Sequence, residues 1–324
     1  MQGFDQRFSD FPDYILGITH EIWEERGIDT LNHYYAPDIV VRSPASISVG
    51  NAAVIKATRN TLHEFPDREL LGEDVIWCGN PETGLLSSHR ILSTATHVND
   101  GIYGRATGKK LIYRVIADCH AKNNVIDDEW LIRDQAAIVR QLGMHPREFV
   151  QNQLDTQGTA APVPFSPIDD VPGPYKERGN NNVWGELLAT TLNRLHERDD
   201  SVITDTYDRA AQLEYPGYVR AHGYSGSGTF WTSFFSAFPG AQFTIDHQIG
   251  RADDNMPARA AVRWSLHGSH EGSGYFGAPT GAEVYVMGIT HAEFGSLGMA
   301  PVKLRREYTL FDETAVWMQI LKQT

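Results

Sequence analysis

Two hexapeptides carry the side chains best suited to moving a proton, and they nearly copy each other. Glu129-Trp130-Leu131-Ile132-Arg133-Asp134 recurs as Glu307-Tyr308-Thr309-Leu310-Phe311-Asp312. Read as the end of a strand, each segment puts alternate side chains on one face. Trp130, Ile132 and Asp134 then share a face, as do Tyr308, Leu310 and Asp312. A carboxylate beside an aromatic and an aliphatic residue sits at the edge of an apolar pocket, where desolvation raises its pKa and suits it to acid–base work. Both aspartates also precede helical stretches, Gln135-Ala136-Ala137-Ile138-Val139 and Glu313-Thr314-Ala315-Val316-Trp317, so helix capping accounts for them as well. His97 and His270 are the second pair: each follows a strand and precedes a glycine-bearing turn, and an imidazole exchanges protons near neutral pH. A turn histidine bonded to backbone is the competing reading.

Other chemistries lack their residues. His267-Gly268-Ser269-His270-Glu271 has the look of a metal motif, but positions i and i+3 of a strand face opposite ways. The position matching His267 in the first copy is Thr94, so no metal is expected. Gly223-Tyr224-Ser225-Gly226-Ser227-Gly228 is neither a phosphate loop, a dinucleotide fingerprint nor a nucleophile elbow, and no cofactor is expected. Cys78 and Cys119 have no CxxC spacing and no neighbouring base, as structural thiols of a reducing cytoplasm would. For substrate binding the candidates are Trp23, Tyr34, Arg90 and Trp130 in the first copy and Trp231, Arg263 and Tyr308 in the second. An arginine on a pocket wall can orient a carboxylate substrate by a bidentate contact, whereas most aromatics at such positions are core.

The elements that must position these residues also come twice. Thr96-His97 to Thr107-Gly108 reappears as Ser269-His270 to Thr280-Gly281, at a single offset (270 − 97 = 173). Phe65-Pro66 recurs as Phe238-Pro239 at the same offset, and the later Glu129 recurs as Glu307 (307 − 129 = 178). The difference is a five-residue insertion near Gly295-Ser296-Leu297-Gly298-Met299 (178 − 173 = 5). A repeat this long is a domain rather than a solenoid unit. The pattern predicts a domain over 9–150, a proline-rich semi-rigid linker over 151–182 and a second domain over 183–324. Each domain opens with a helical pattern (Ile15, Ile18, Ile22, Trp23; then Trp184, Leu187, Leu188, Leu192, Leu195). A second helix fits Asn51–Phe65 and Thr229–Phe238. Long strands follow at Leu85–Thr94, Leu111–Cys119, Val125–Arg133, Ala258–Leu266, Glu283–Glu293 and Lys303–Phe311. Helices first and strands afterwards give an α+β class, with a curved, mostly antiparallel sheet wrapped around helices to make a cone with a pocket.

The net charge of −13 argues against nucleic acid and against anionic membranes as partners. No run approaches 18 apolar residues, and Met1-Gln2-Gly3-Phe4-Asp5-Gln6-Arg7 lacks the features of a signal peptide, so a cytoplasmic protein is expected.

Each half resembles a SnoaL-like polyketide cyclase domain of the nuclear transport factor 2-like superfamily. The first half has Phe65-Pro66-Asp67, Thr96-His97, Thr107-Gly108, Glu129-Trp130, Asp134 and Gln141-Leu142-Gly143. The second has Gly268-Ser269-His270-Glu271-Gly272, Gly277-Ala278-Pro279-Thr280-Gly281, Glu307 and Asp312. The first copy departs from the family turn with Arg105-Ala106, and the second lacks the Gln-Leu-Gly end. The resemblance implies two cone-shaped α+β barrels in tandem and a cofactor-independent enzyme acting on a small carbonyl compound. The reaction would be aldol cyclisation, isomerisation or a related lyase step. Asp134 and Asp312 would be the general acid/base, with His97 and His270 lining the pocket. A non-catalytic small-molecule binding protein is the alternative. The two halves would pair within the chain, as such domains pair between chains in a homodimer.

Overall fold

The computed structural model describes residues 1–175 and 179–324. The first half comprises α1 (Phe11–Thr19), a π turn (His20–Glu24), α2 (Leu31–Tyr34), β1 (Tyr35–Ser43), β2 (Ser46–Val49), α3 (Asn51–Glu64), β3 (Glu69–Asn80), β4 (Gly84–Thr96), β5 (Lys110–Lys122), β6 (Val125–Arg133), α4 (Gln135–Leu142) and α5 (Pro146–Gln157). The second half repeats most of this with α6 (Val183–His196), α7 (Ser201–Thr206), β7 (Tyr207–Tyr215), β8 (Val219–His222), α8 (Gly223–Ser236), β9 (Gln242–Arg251), β10 (Ala258–Ser269), β11 (Glu283–Gly295), β12 (Lys303–Phe311) and α9 (Glu313–Leu321). The strand order β2-β1-β6-β5-β4-β3 recurs as β8-β7-β12-β11-β10-β9. In each sheet only the pairing of its first and last strands, β1 with β6 and β7 with β12, is parallel. The fold is therefore α+β, two six-stranded sheets each curled over its own helices.

The cross-strand register repeats with the sequence. Ile91 faces Val115, and at the matching positions Trp264 faces Gly288. Cys119 faces Glu129 where Ala292 faces Glu307. The second helix of the second half begins at Gly223 rather than at Thr229. Its glycines, poor helix formers by propensity, sit where a side chain would clash: a Cβ at Gly226 would lie 2.9 Å from that of Ala221. The proline-rich segment begins inside a helix, since α5 runs to Gln157, and it then places Phe165 and Tyr175 in buried positions against the sheets.

The two sheets pack against each other through the faces that point away from their own helices. Ile116, Ile132, Met287, Ile289 and Leu310 form an apolar seam there, joined by Phe165. Around it runs a buried polar layer. Arg90 Nη2 donates to Glu293 Oε1 at 3.2 Å, and its guanidinium lies 3.8 Å over the Tyr308 ring. Arg263 lies 4.0 Å over Trp130 and reaches Asp118 at 3.5 Å. Ser88 Oγ bonds Asp118 and lies 2.7 Å from His291 Nε2. A buried ion pair adds little net stability over an apolar pair of the same size, but removing one partner strands the other.

Candidate functional site

A cavity of about 210 Å³ lies inside the first cone, between α1, the π turn, α3 and the inner face of the first sheet. At roughly 30 Å³ per water it has room for a small organic molecule. Most of its wall is apolar: Ile15, Ile18, Val54, Leu70, Ile91 and Val115 are among its residues. Trp23, carried by the π turn, closes one side, with its indole Nε1 3.4 Å from Thr58 Oγ1.

A glutamate, a histidine and two arginines break this apolar wall. Strand alternation puts Glu129, Leu131 and Arg133 of β6 on the inner face, and all three line the cavity. Glu129 is buried and hydrogen-bonded by the Tyr35 hydroxyl, and burial pushes its carboxyl up to about 7. It therefore exchanges a proton near neutrality. His89 lies on β4 at the level of Leu131, since Ala117 of β5 faces them both. Burial, with Arg90 next to it, holds His89 down to about 3, so the imidazole is neutral, and its Nε2 has no partner among the described residues. Arg68 and Arg133 flank the buried Tyr113 at the other end, where Arg68 Nε reaches Ser93 Oγ at 3.4 Å.

The second cone is packed solid at the corresponding place. Ala57, Thr58 and Thr61 of α3 are matched by Phe230, Trp231 and Phe234 of α8, Ile91 by Trp264, and Arg133 by Phe311. Trp231, Phe234, Trp264 and Phe311 are all buried, and the Phe234 ring centroid lies 4.9 Å from that of Phe311, tilted to it, and 5.7 Å from that of Trp264, edge-on. Gly288 is required by this filling, because a Cβ there would lie 2.1 Å from the Trp264 ring. Glu307 and Tyr207 repeat the Glu129–Tyr35 pair. Here the carboxylate is saturated, accepting from Tyr207 Oη at 2.7 Å, Trp231 Nε1 at 3.1 Å and Thr309 Oγ1 at 2.8 Å.

The residues singled out in the sequence fall elsewhere, with one exception. Trp23 lines the first cavity. Asp134 caps α4 by accepting from Ala137 N at 3.0 Å, and it also accepts from Gly217 N at 2.8 Å and Tyr218 N at 3.0 Å in the other half. It borders a crevice of about 10 Å³, room for no more than about one water. Asp312 caps α9 through Thr314 N at 2.9 Å and Ala315 N at 3.3 Å. Burial raises Asp134 to about 6 and Asp312 to about 7. His97 and His270 are buried pins of their turns, each with Nδ1 near a threonine hydroxyl (Thr107 at 3.2 Å, Thr280 at 3.1 Å). Arg90, Arg263, Trp130 and Tyr308 belong to the layer between the sheets. Trp231 fills the second cone, and the Tyr34 hydroxyl bonds Glu21 at 3.3 Å. The unforeseen residues, Glu129, His89, Arg68 and Arg133, were within reach. Glu129 adjoins Trp130 and His89 adjoins Arg90, so a shift of one residue along each strand selects the inner face. Among the described residues no group of three or more His, Cys, Asp or Glu is arranged to hold a metal, and no helix is long and apolar enough to cross a membrane.

A sheet curled over its own helices, present twice and enclosing a ligand-sized cavity in the first copy, is the cone architecture of the nuclear transport factor 2-like superfamily. Residues 14–142 match the SnoaL-like polyketide cyclase family and residues 188–298 match the SnoaL-like domain. The chain belongs to the SnoaL-like family and carries its domain twice. Similar solved structures include IdmH from Streptomyces antibioticus, at 20% identity over 41% of this chain and 98% of that one, TM-score 0.36. AclR from Streptomyces galilaeus is 19% identical over 40% of this chain and 94% of that one, TM-score 0.35. A SnoaL-like polyketide cyclase from Agrobacterium tumefaciens is 19% identical over 42% and 95%, TM-score 0.31. No curated protein matches the sequence.

Proposed function

We propose that the first half is an enzyme that takes a small, partly apolar carbonyl compound into its cone and moves a proton to and from carbon, with Glu129 as the general base and acid. The second half serves as its scaffold. The observation that carries this reading is a buried carboxyl held near 7 on the wall of an otherwise largely apolar cavity. As carboxylate, Glu129 takes the proton from the carbon next to the substrate carbonyl. Neutral His89 is the side chain suited to donate a hydrogen bond to the resulting enolate oxygen, in the tautomer that carries the proton on Nε2. In an aldol cyclisation the enolate carbon bonds to a second carbonyl carbon of the same molecule, and the alkoxide formed takes the proton back from Glu129. Returning the proton to a different carbon gives isomerisation.

The test needs no knowledge of the natural substrate. In D2O, the wild-type protein should accelerate loss of the α-proton NMR signal from members of a panel of 1,3-diketones and β-keto esters. The rate should rise with pH through about 7 as Glu129 ionises. Glu129→Gln should lower it by about a hundredfold or more. Equal exchange by wild type and variant would sink the proposal. One observation favours a second reading, a binding protein without turnover: the Glu–Tyr pair also exists in the filled cone, where it serves packing alone. Under that reading Glu129→Gln leaves ligand affinity intact and no compound in the panel is exchanged.

A further inference from the structure

The buried arginines of this chain divide sharply. Arg42, Arg90, Arg114, Arg259 and Arg263 each lie against a carboxylate. Arg68 is 5% exposed, and Arg133 is half-buried with a buried Nε that has no hydrogen-bond partner, yet neither has a carboxylate partner among the described residues. A buried cation without an anion is costly and persists where something else offsets it. Both guanidiniums border the same cavity and act on one another. Tyr113 stands between them. Burial works to raise its hydroxyl, but the Arg68 and Arg133 cations outweigh that and hold it below its ordinary range.

The second half supplies the comparison. Its filled cone keeps Glu307 and Tyr207 in place of Glu129 and Tyr35, but Val286 stands where the first half has Tyr113, Ala241 where it has Arg68 and Phe311 where it has Arg133. The two cations therefore occur where there is a cavity and are absent where there is none.

We propose that the Arg68–Arg133 end of the first cone is a subsite for a carboxylate on the ligand, so that the natural substrate is a carboxylic acid. This rests on the cone being the ligand site, as set out above. Two planar donor forks suit a planar carboxylate. Arg133 and Glu129 are four residues apart on β6, about 13 Å along the strand. The substrate is thereby oriented with its anion at the arginines and its acidic carbon toward the glutamate.

Calorimetric titration of the full chain with phenylacetate and with its neutral isostere phenylacetamide tests this. Phenylacetate should bind about tenfold more tightly or better. Arg68→Gln and Arg133→Gln should bring phenylacetate down to the affinity of the amide and leave the amide unchanged, while Arg68→Lys and Arg133→Lys should retain part of the preference. Thr58→Trp, which plugs the cone as Trp231 does in the second half, should abolish binding of both compounds. Equal affinities for acid and amide, with Thr58→Trp blocking both, overturn the carboxylate subsite and leave the cone as the ligand site. Binding that Thr58→Trp does not touch overturns both, as does the absence of binding by either compound.

Discussion

Asp134 and Asp312 show how a carboxylate can look reactive and be structural. Each lies beside aromatic residues at the end of a last strand, and burial raises its pKa to about 6 or 7. Their oxygens, however, are taken up by backbone amides at helix N-termini, and Asp134 also holds Gly217 and Tyr218 of the other half. Glu129 shares the burial and the raised pKa, but its described hydrogen bond comes from one tyrosine and the cavity lies open beside it. The residue-scale prediction follows from donor counting. Asp312→Ala should cost about 1 kcal/mol of stability, the usual loss for a cap. Asp134→Ala should cost more, because it leaves two further half-buried amides, those of Gly217 and Tyr218, without their partner. Urea midpoints measure both, and proton exchange into a substrate should survive in each variant. Loss of exchange with unchanged midpoints would return the aspartates to the chemistry.

At the level of elements, the strand is the unit in which the site hides. β6 carries Glu129, Leu131 and Arg133 on the cavity side and Trp130 and Ile132 on the other. The duplication, the α+β class and the limits of six of the twelve described strands, to within three residues, were legible in the sequence, because period-two patterns, turn glycines and two constant offsets all survive in it. The face was not legible. In an ordinary sheet one face is wet and polar residues mark it, but here the outer face of each sheet is buried against the other. Both faces then carry aromatic, aliphatic and charged residues alike, and alternation alone cannot say which one lines a pocket. The glycine-rich start of α8 escaped for a related reason, since close packing on Ala221 overrides helix propensity there. The filled cone yields the prediction at this scale. Trp264→Ala should cost about 3–5 kcal/mol, and Gly288→Val, which copies the open cone at a single position, should destabilise by driving a side chain into the Trp264 ring. Melting temperatures unchanged by both variants would mean that the second cone is looser than its aromatic packing indicates.

Across the whole molecule the two sheets depend on one another. Asp118 of β5 is tied to Ser88 of β4 and Arg263 of β10, and Ser88 in turn meets His291 of β11, so four strands of two different sheets share one buried polar cluster. Asp118→Ala should strand Arg263 and cost about 3–5 kcal/mol, the usual loss when one partner of a buried pair is removed. The slowest-exchanging amides of both sheets should accelerate together in this variant. Acceleration confined to the first sheet would mean that the halves unfold independently.

The unequal cones have a consequence for how such a molecule can change. In a dimer of identical chains, any substitution that plugs one cavity plugs its twin, and activity is lost outright. Joining the two copies in one chain removes that symmetry. Tryptophans and phenylalanines can accumulate in the second copy, each strengthening the wall on which the first copy leans, while the first remains free to explore ligands.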